Sequence, residues 1–190
     1  MKAWKFAALP VLLWSAGVSA QATDSDQGEV GVSGTVAPIC ILGAPSRATV
    51  DLGQMATLSG ARVGRIAVLP AQVVTLPNSF CNFAGSTVTV SATALLSNNS
   101  GSVPAGFSRA VNYTAAASNW AASATSATTA ATASGAGATA TGAGAVQPDP
   151  RLADISVALS GFTAPSDALL VSGSYSGLIV ITLGPAATAK

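Results

Sequence analysis

The chain predicts an all-β sandwich, and three observations carry that prediction. Its 190 residues hold 19 glycines and 10 prolines but only 5% aromatic and 8% charged side chains, a small-residue composition that buries little surface as helices. Apolar side chains recur with a period of two in several short segments, the spacing of half-buried strands. Gly, Pro and Asn interrupt those segments at turn-like intervals.

Residues 1–20 read as an export signal. Lys2 and Lys5 precede an apolar run over residues 6–18, and Val18-Ser19-Ala20 offers a small-residue cleavage site before Gln21. Thirteen residues at about 1.5 Å each fall short of a hydrocarbon core of about 30 Å, so a spanning anchor is the weaker reading. No later stretch is apolar over 18 residues, and the mature chain is expected to carry no transmembrane segment. The route implied is Sec export to the periplasm, and from there to the cell surface or the medium.

A polar leader follows, and residues 21–36 are assigned to an N-terminal extension. Within it Val30, Val32, Gly34 and Val36 share one face of a predicted strand, while Glu29, Gly31, Ser33 and Thr35 share the other; the strand is expected to run on to Cys40. Short strands are then predicted at 49–52 with Gly53 as a turn, at 66–69 before Pro70, and at 73–76 before Pro77 and Asn78. Residues 86–92 alternate Val88 and Val90 with Thr87, Thr89 and Ser91. Residues 97–104 read as a loop, and 109–115 as a strand with Val111 and Tyr113 on one face. Residues 115–147 are Ala, Thr, Ser and Gly around a single large side chain, Trp120. Neither period emerges there, so a long flexible loop is expected, crossed at most by one small-residue strand.

Alternation resumes over 154–160 and again at 169–171. The most apolar stretch of the mature chain is 175–183, with Tyr175, Ile179, Ile181 and Leu183 on one face and Leu178 and Val180 on the other. A strand apolar on both faces is expected in the middle of a sandwich, yet no further strand pattern follows it. Seven or so strands at this spacing suggest an immunoglobulin-like sandwich over residues 37–190, one whose last strand lacks a neighbour. The surplus N-terminal strand could supply that neighbour to another copy, and a head-to-tail contact of this kind extends into a fibre.

Composition also excludes functions. There is no histidine, which removes Ser-His-Asp and Cys-His nucleophile systems and HExxH zinc sites, so an enzyme is not expected and no cofactor is called for. Beyond residue 20 the bases are Arg47, Arg62, Arg65, Arg109, Arg151 and Lys190 against seven acids, and no basic patch with interleaved aromatics gives nucleic acid a footing. The two cysteines, Cys40 and Cys81, are too few for a zinc site and too far apart for a CxxC motif. In an exported chain they are expected to form one disulfide. Asp149 and Asp154 are the closest pair of acids outside the leader, but two ligands are too few for calcium, and no metal site is assigned.

The run Gly31-Val32-Ser33-Gly34-Thr35-Val36 leading to Cys40, the Val50-Asp51-Leu52-Gly53-Gln54 turn, the second cysteine at Cys81, and the ending Gly173-Ser174-Tyr175-Ser176-Gly177-Leu178-Ile179-Val180-Ile181-Thr182-Leu183 together resemble a family. It is that of pilus subunits assembled by a periplasmic chaperone and an outer-membrane usher, with the related spore coat U-like secreted domains. The resemblance implies an incomplete pilin-type sandwich completed by donor-strand exchange between identical or related subunits, in a fimbria or surface coat that supports adhesion or biofilm. It makes Val30, Val32, Gly34 and Val36 donor positions, Cys40 and Cys81 the disulfide, and Tyr175, Leu178, Ile179, Val180, Ile181 and Leu183 the wall of the acceptor groove. The alternative is a self-contained secreted binding module, for carbohydrate or another surface ligand, with Trp120, Tyr113 and Phe107 as a stacking platform.

Overall fold

The structure is a computed structural model that describes residues 26–186; the predicted export signal lies outside the described residues. Residues up to Val36 and from Ala37 onward form separate units. In the first unit the described residues carry no regular secondary structure. The second unit is all β, with strands β1 (Cys40–Ile41), β2 (Gln72–Cys81), β3 (Ser86–Thr93), β4 (Leu95–Ser97), β5 (Phe107–Ser108) and β6 (Ala110–Ser118). They are followed by β7 (Thr125–Thr128), β8 (Thr139–Ala143), β9 (Arg151–Thr163), β10 (Leu169–Leu170), β11 (Tyr175–Ser176) and β12 (Ile179–Pro185). Among the described residues no helix is long and apolar enough to cross a membrane.

Two antiparallel sheets face each other. One has the order β1-β2-β9-β6-β4-β11, with β7 also paired to β6; the other is β12-β3-β8, and a short parallel pair joins β5 to β10. The period-two segments place the core between them. Val88, Val90 and Ala92 of β3 meet Leu76 of β2, Ile155, Val157 and Leu159 of β9, and Val111, Tyr113 and Ala115 of β6. Tyr113 stacks on Phe162 with ring centroids 5.8 Å apart. Phe162 would fall on the outer face by strict alternation from Leu159. An extra residue in β9, at left-handed Gly161, resets the phase and turns the ring inward.

Pro77 and Asn78 do not end a strand as predicted. β2 passes through them in a bulge, Asn78 takes φ 52°, and its free N–H donates to Asp154 Oδ1 at 2.9 Å. Asp154 is thereby a bulge partner, and no group of three metal-ligating side chains occurs among the described residues.

Other expectations are corrected. Residues 115–147 are not one long loop: they hold the end of β6, all of β7 and all of β8. The composition that hides their periodicity also lets them pack closely. A Cβ on Gly142 of β8 would lie within 1.9 Å of the Ser126 carbonyl oxygen in β7, so that backbone approach needs a bare glycine. Residues 175–183 split into β11 and β12 around Gly177, whose added Cβ would meet the Thr93 carbonyl at 2.6 Å. β12 is also an edge strand, not a central one: among the described residues it pairs with β3 alone, and Leu178 and Val180 are 64% and 47% exposed. Finally, residues 49–52 form no strand, and of the strand predicted at 66–69 only an isolated bridge from Ile66 to Ala56 remains.

Cys40 and Cys81 form a disulfide at the Cα register pair that joins β1 to β2. It closes a loop of 41 residues and should contribute about 3 to 4 kcal/mol by restricting the unfolded chain. Cys40→Ala with Cys81→Ala is therefore expected to lower the unfolding free energy by about that amount. Urea titration of the oxidised protein and of the double variant checks this; equal midpoints would refute it.

Candidate functional site: an open groove beside the last strand

The first wall of the groove is β12 with the segment leading into it. Tyr175, Ile179 and Ile181 turn inward onto the core and line the groove, while Leu183 packs against the core farther along. Leu178 and Val180 turn outward at its rim. β12 hydrogen-bonds β3 on one edge from Ile179↔Ala92 to Pro185↔Ser86, and among the described residues no strand pairs with its other edge.

The second wall is the irregular segment 42–52. It is fastened to the opposite sheet: Gly43 N–H donates to Ser79 Oγ, Ser46 N–H donates to the Thr75 carbonyl at 2.7 Å, and Arg47 Nη2 donates to the Val73 carbonyl at 2.7 Å. No backbone hydrogen bond joins it to β12 among the described residues. Between the walls lies a trough of about 590 Å³ whose floor is the core itself: Leu76, Tyr113, Val157, Leu159 and Phe162. Among the described residues Arg47 is the one charged side chain that lines it.

The walls run in opposite directions. Cys40 sits beside Cys81, and five residues on, Ser86 pairs with Pro185, so β12 ends at the disulfide pole. The 42–52 segment starts at that pole and runs away from it, reaching Tyr175 at the distal pole. There the trough continues into a second recess of about 740 Å³ between residues 49–56 and 170–175. Val50, Leu52, Leu95 and Tyr175 line both.

Burial shapes the electrostatics. The Tyr113 phenol is pushed up to about 12 by burial, and its hydroxyl donates to the Thr93 carbonyl at 3.0 Å. Burial also raises Tyr175, against the lowering effect of its hydrogen bonds; its hydroxyl donates to the Val171 carbonyl at 2.7 Å. Both rings are therefore neutral walls with their polar ends satisfied. The cluster of Arg62, Arg65 and Asp167 stands elsewhere, on the surface, where Arg62 makes a two-pronged ion pair with Asp167 and lowers its carboxyl pKa.

The predicted donor side chains are all in the first unit and all exposed: Val30 at 87%, Val32 at 94% and Val36 at 87%, with open space around Gly34. The period-two pattern is present there without a ladder to hold it, so the predicted strand from 29 to Cys40 does not form. Sequence reasoning missed the groove floor and the 42–52 wall. Alternation marks Leu76, Val157 and Leu159 as inward-facing, but it does not tell a covered inward side chain from an uncovered one. The alternative stacking platform is not assembled: Trp120 and Tyr113 are each 2% exposed, which leaves Phe107 alone at the surface.

Comparison of the chain with family models, curated proteins and solved structures found no match.

Proposed function

We propose that the chain is an exported structural subunit that polymerises head to tail, each copy laying its 29–36 segment into the groove of the next. The observation that carries this reading is the pairing of a groove open to the core, beside an unpaired β12 edge, with an apolar period-two segment that has no sheet of its own. Burying Val30, Val32 and Val36 gives about 4 to 8 kcal/mol before ordering costs. A new ladder along β12 adds about 1 kcal/mol per hydrogen bond.

Chain direction favours an intermolecular strand. Ala37 is held at the disulfide pole, where Asn82 Nδ2 donates to its carbonyl. A segment folding back from there into its own groove would run parallel to β12. Every long pairing in the sandwich is antiparallel, and antiparallel pairs are the slightly more stable kind. A second copy can supply that polarity. The same reading requires something to cover the groove during export, a role that the resemblance gives to a periplasmic chaperone, with an outer-membrane usher as the assembly platform.

The test compares the chain starting at residue 21 with one starting at residue 37, by size-exclusion chromatography and by resistance of the oligomers to SDS. Oligomers are expected from the longer chain only. A truncated chain that still polymerises, or a longer chain that stays monomeric at every concentration with an unchanged thermal midpoint, would refute the proposal.

A further inference from the structure

Asn82 holds the exit of the N-terminal segment with three hydrogen bonds. Its Oδ1 accepts from Ile39 N–H at 2.7 Å, its N–H donates to the Ile39 carbonyl at 3.1 Å, and its Nδ2 donates to the Ala37 carbonyl at 2.9 Å. Ile39 is thereby presented at the disulfide pole as a fixed apolar knob, 47% exposed. Ile41 beside it is also exposed, and it stands in register with Phe80 of β2 and Leu152 of β9, so the knob lies next to an apolar row on the outer face of the sheet. Exposed apolar clusters of this kind mark contact surfaces.

We infer that Ile39 of one copy seats at the distal recess of the next, so that successive subunits abut pole to pole with a fixed geometry. The inference rests on the strand-donation reading and commits to a second copy as the occupant. Two observations carry it. First, no slack separates the donated strand from the domain, because Ala37, the residue after Val36, is already pinned by Asn82. Second, the recess is continuous with the groove at the pole where an antiparallel donor strand would leave it, sharing Val50 and Tyr175 with the groove. If the four donor positions 30, 32, 34 and 36 face the alternate positions 183, 181, 179 and 177, Val36 lies beside Gly177. Three residues on, within about 10 Å, Ile39 lies beside Ser174 at the mouth of the recess. Val50, Met55, Leu170 and Val171 supply the apolar part of a mixed lining that also holds Asp51, Gln54 and Ser172.

The test places Ile39→Cys and Ser174→Cys in one full chain. Within a copy the two positions are at opposite poles, separated by the length of β3 and β4, so a disulfide between them can form only between copies. The expected result is a covalent ladder on a non-reducing gel after boiling, absent from either single variant and from the pair carrying Val32→Asp. A polymer that forms without the ladder overturns this inference and leaves strand donation standing. A chain that forms no polymer overturns both, and a ladder that survives Val32→Asp overturns the link between them. As a second readout, Ile39→Ser is expected to speed polymer dissociation by about tenfold or more without moving the monomer's unfolding midpoint. An unchanged dissociation rate counts against the inference.

Discussion

Val32→Asp is expected to abolish polymerisation while leaving the monomer as stable as before. In the free chain Val32 is 94% exposed, so the substitution costs the fold nothing: it removes no contact and buries no charge. In the occupied groove the same side chain would face a floor of Leu76, Val157 and Leu159. The lost burial of the valine is worth about 1.5 to 3 kcal/mol. An ionised carboxylate in that setting adds a desolvation penalty of several kcal/mol, with no cation placed to repay it. The nearest candidate, Arg47, already donates to the Val73 carbonyl and to Gln72 Oε1. A combined loss of about 4 kcal/mol or more corresponds to at least a thousand-fold weaker association. Sedimentation of the wild-type and variant chains, with urea unfolding of each monomer, separates the two effects. Undiminished polymer in Val32→Asp would show that this segment does not enter an apolar groove, and a large drop in monomer stability would show that Val32 is already packed.

The strands with strict alternation were legible because each has one wet face and one dry face. Val88 and Val90 in β3, Val111 and Tyr113 in β6, and Ile155, Val157 and Leu159 in β9 all point inward as their spacing predicts. The disulfide is legible from the cysteine count together with the expectation of export. Other features depend on tertiary context that no local pattern carries. Pro77 and Asn78 read as a terminator, but Asp154, 76 residues on, caps the bulge that lets β2 continue. The apolar outer face of the last strand predicts burial by a neighbour, whereas the structure leaves Leu178 and Val180 in solvent. The groove follows the same logic in reverse: its wall at Tyr175, Ile179 and Ile181 stood out as hydrophobic, whereas its emptiness depends on where residues 42–52 come to rest.

The small-residue segment is where composition misled most, and Gly142→Val tests what the structure substitutes for the expected loop. β8 lies between β3, to which it pairs from Thr89↔Ala143 to Thr93↔Thr139, and the crossing backbone of β7. A first side-chain carbon at Gly142 would stand 1.9 Å from the Ser126 carbonyl oxygen and 2.7 Å from its carbon, both backbone atoms that no rotamer change can move aside. β7 is itself tied to β6 by Thr114↔Thr128 through Ala117↔Thr125, so relief requires one of the two ladders to shift. Overpacking costs about 1 to 3 kcal/mol, and against immovable backbone the upper end, about 3 kcal/mol, is expected. In a domain of this size that lowers the thermal midpoint by about 6 to 12 °C. Gly184→Ala in β12, where an added carbon meets nothing within 4 Å, is the control and should leave the midpoint within about 2 °C. Equal midpoints for the two variants would mean that β8 does not pack against β7 and that residues 139–143 are the loose connection their composition suggests. A selective loss in Gly142→Val would show that alanine, threonine and glycine form a closely packed layer there, held by backbone proximity where large side chains are lacking.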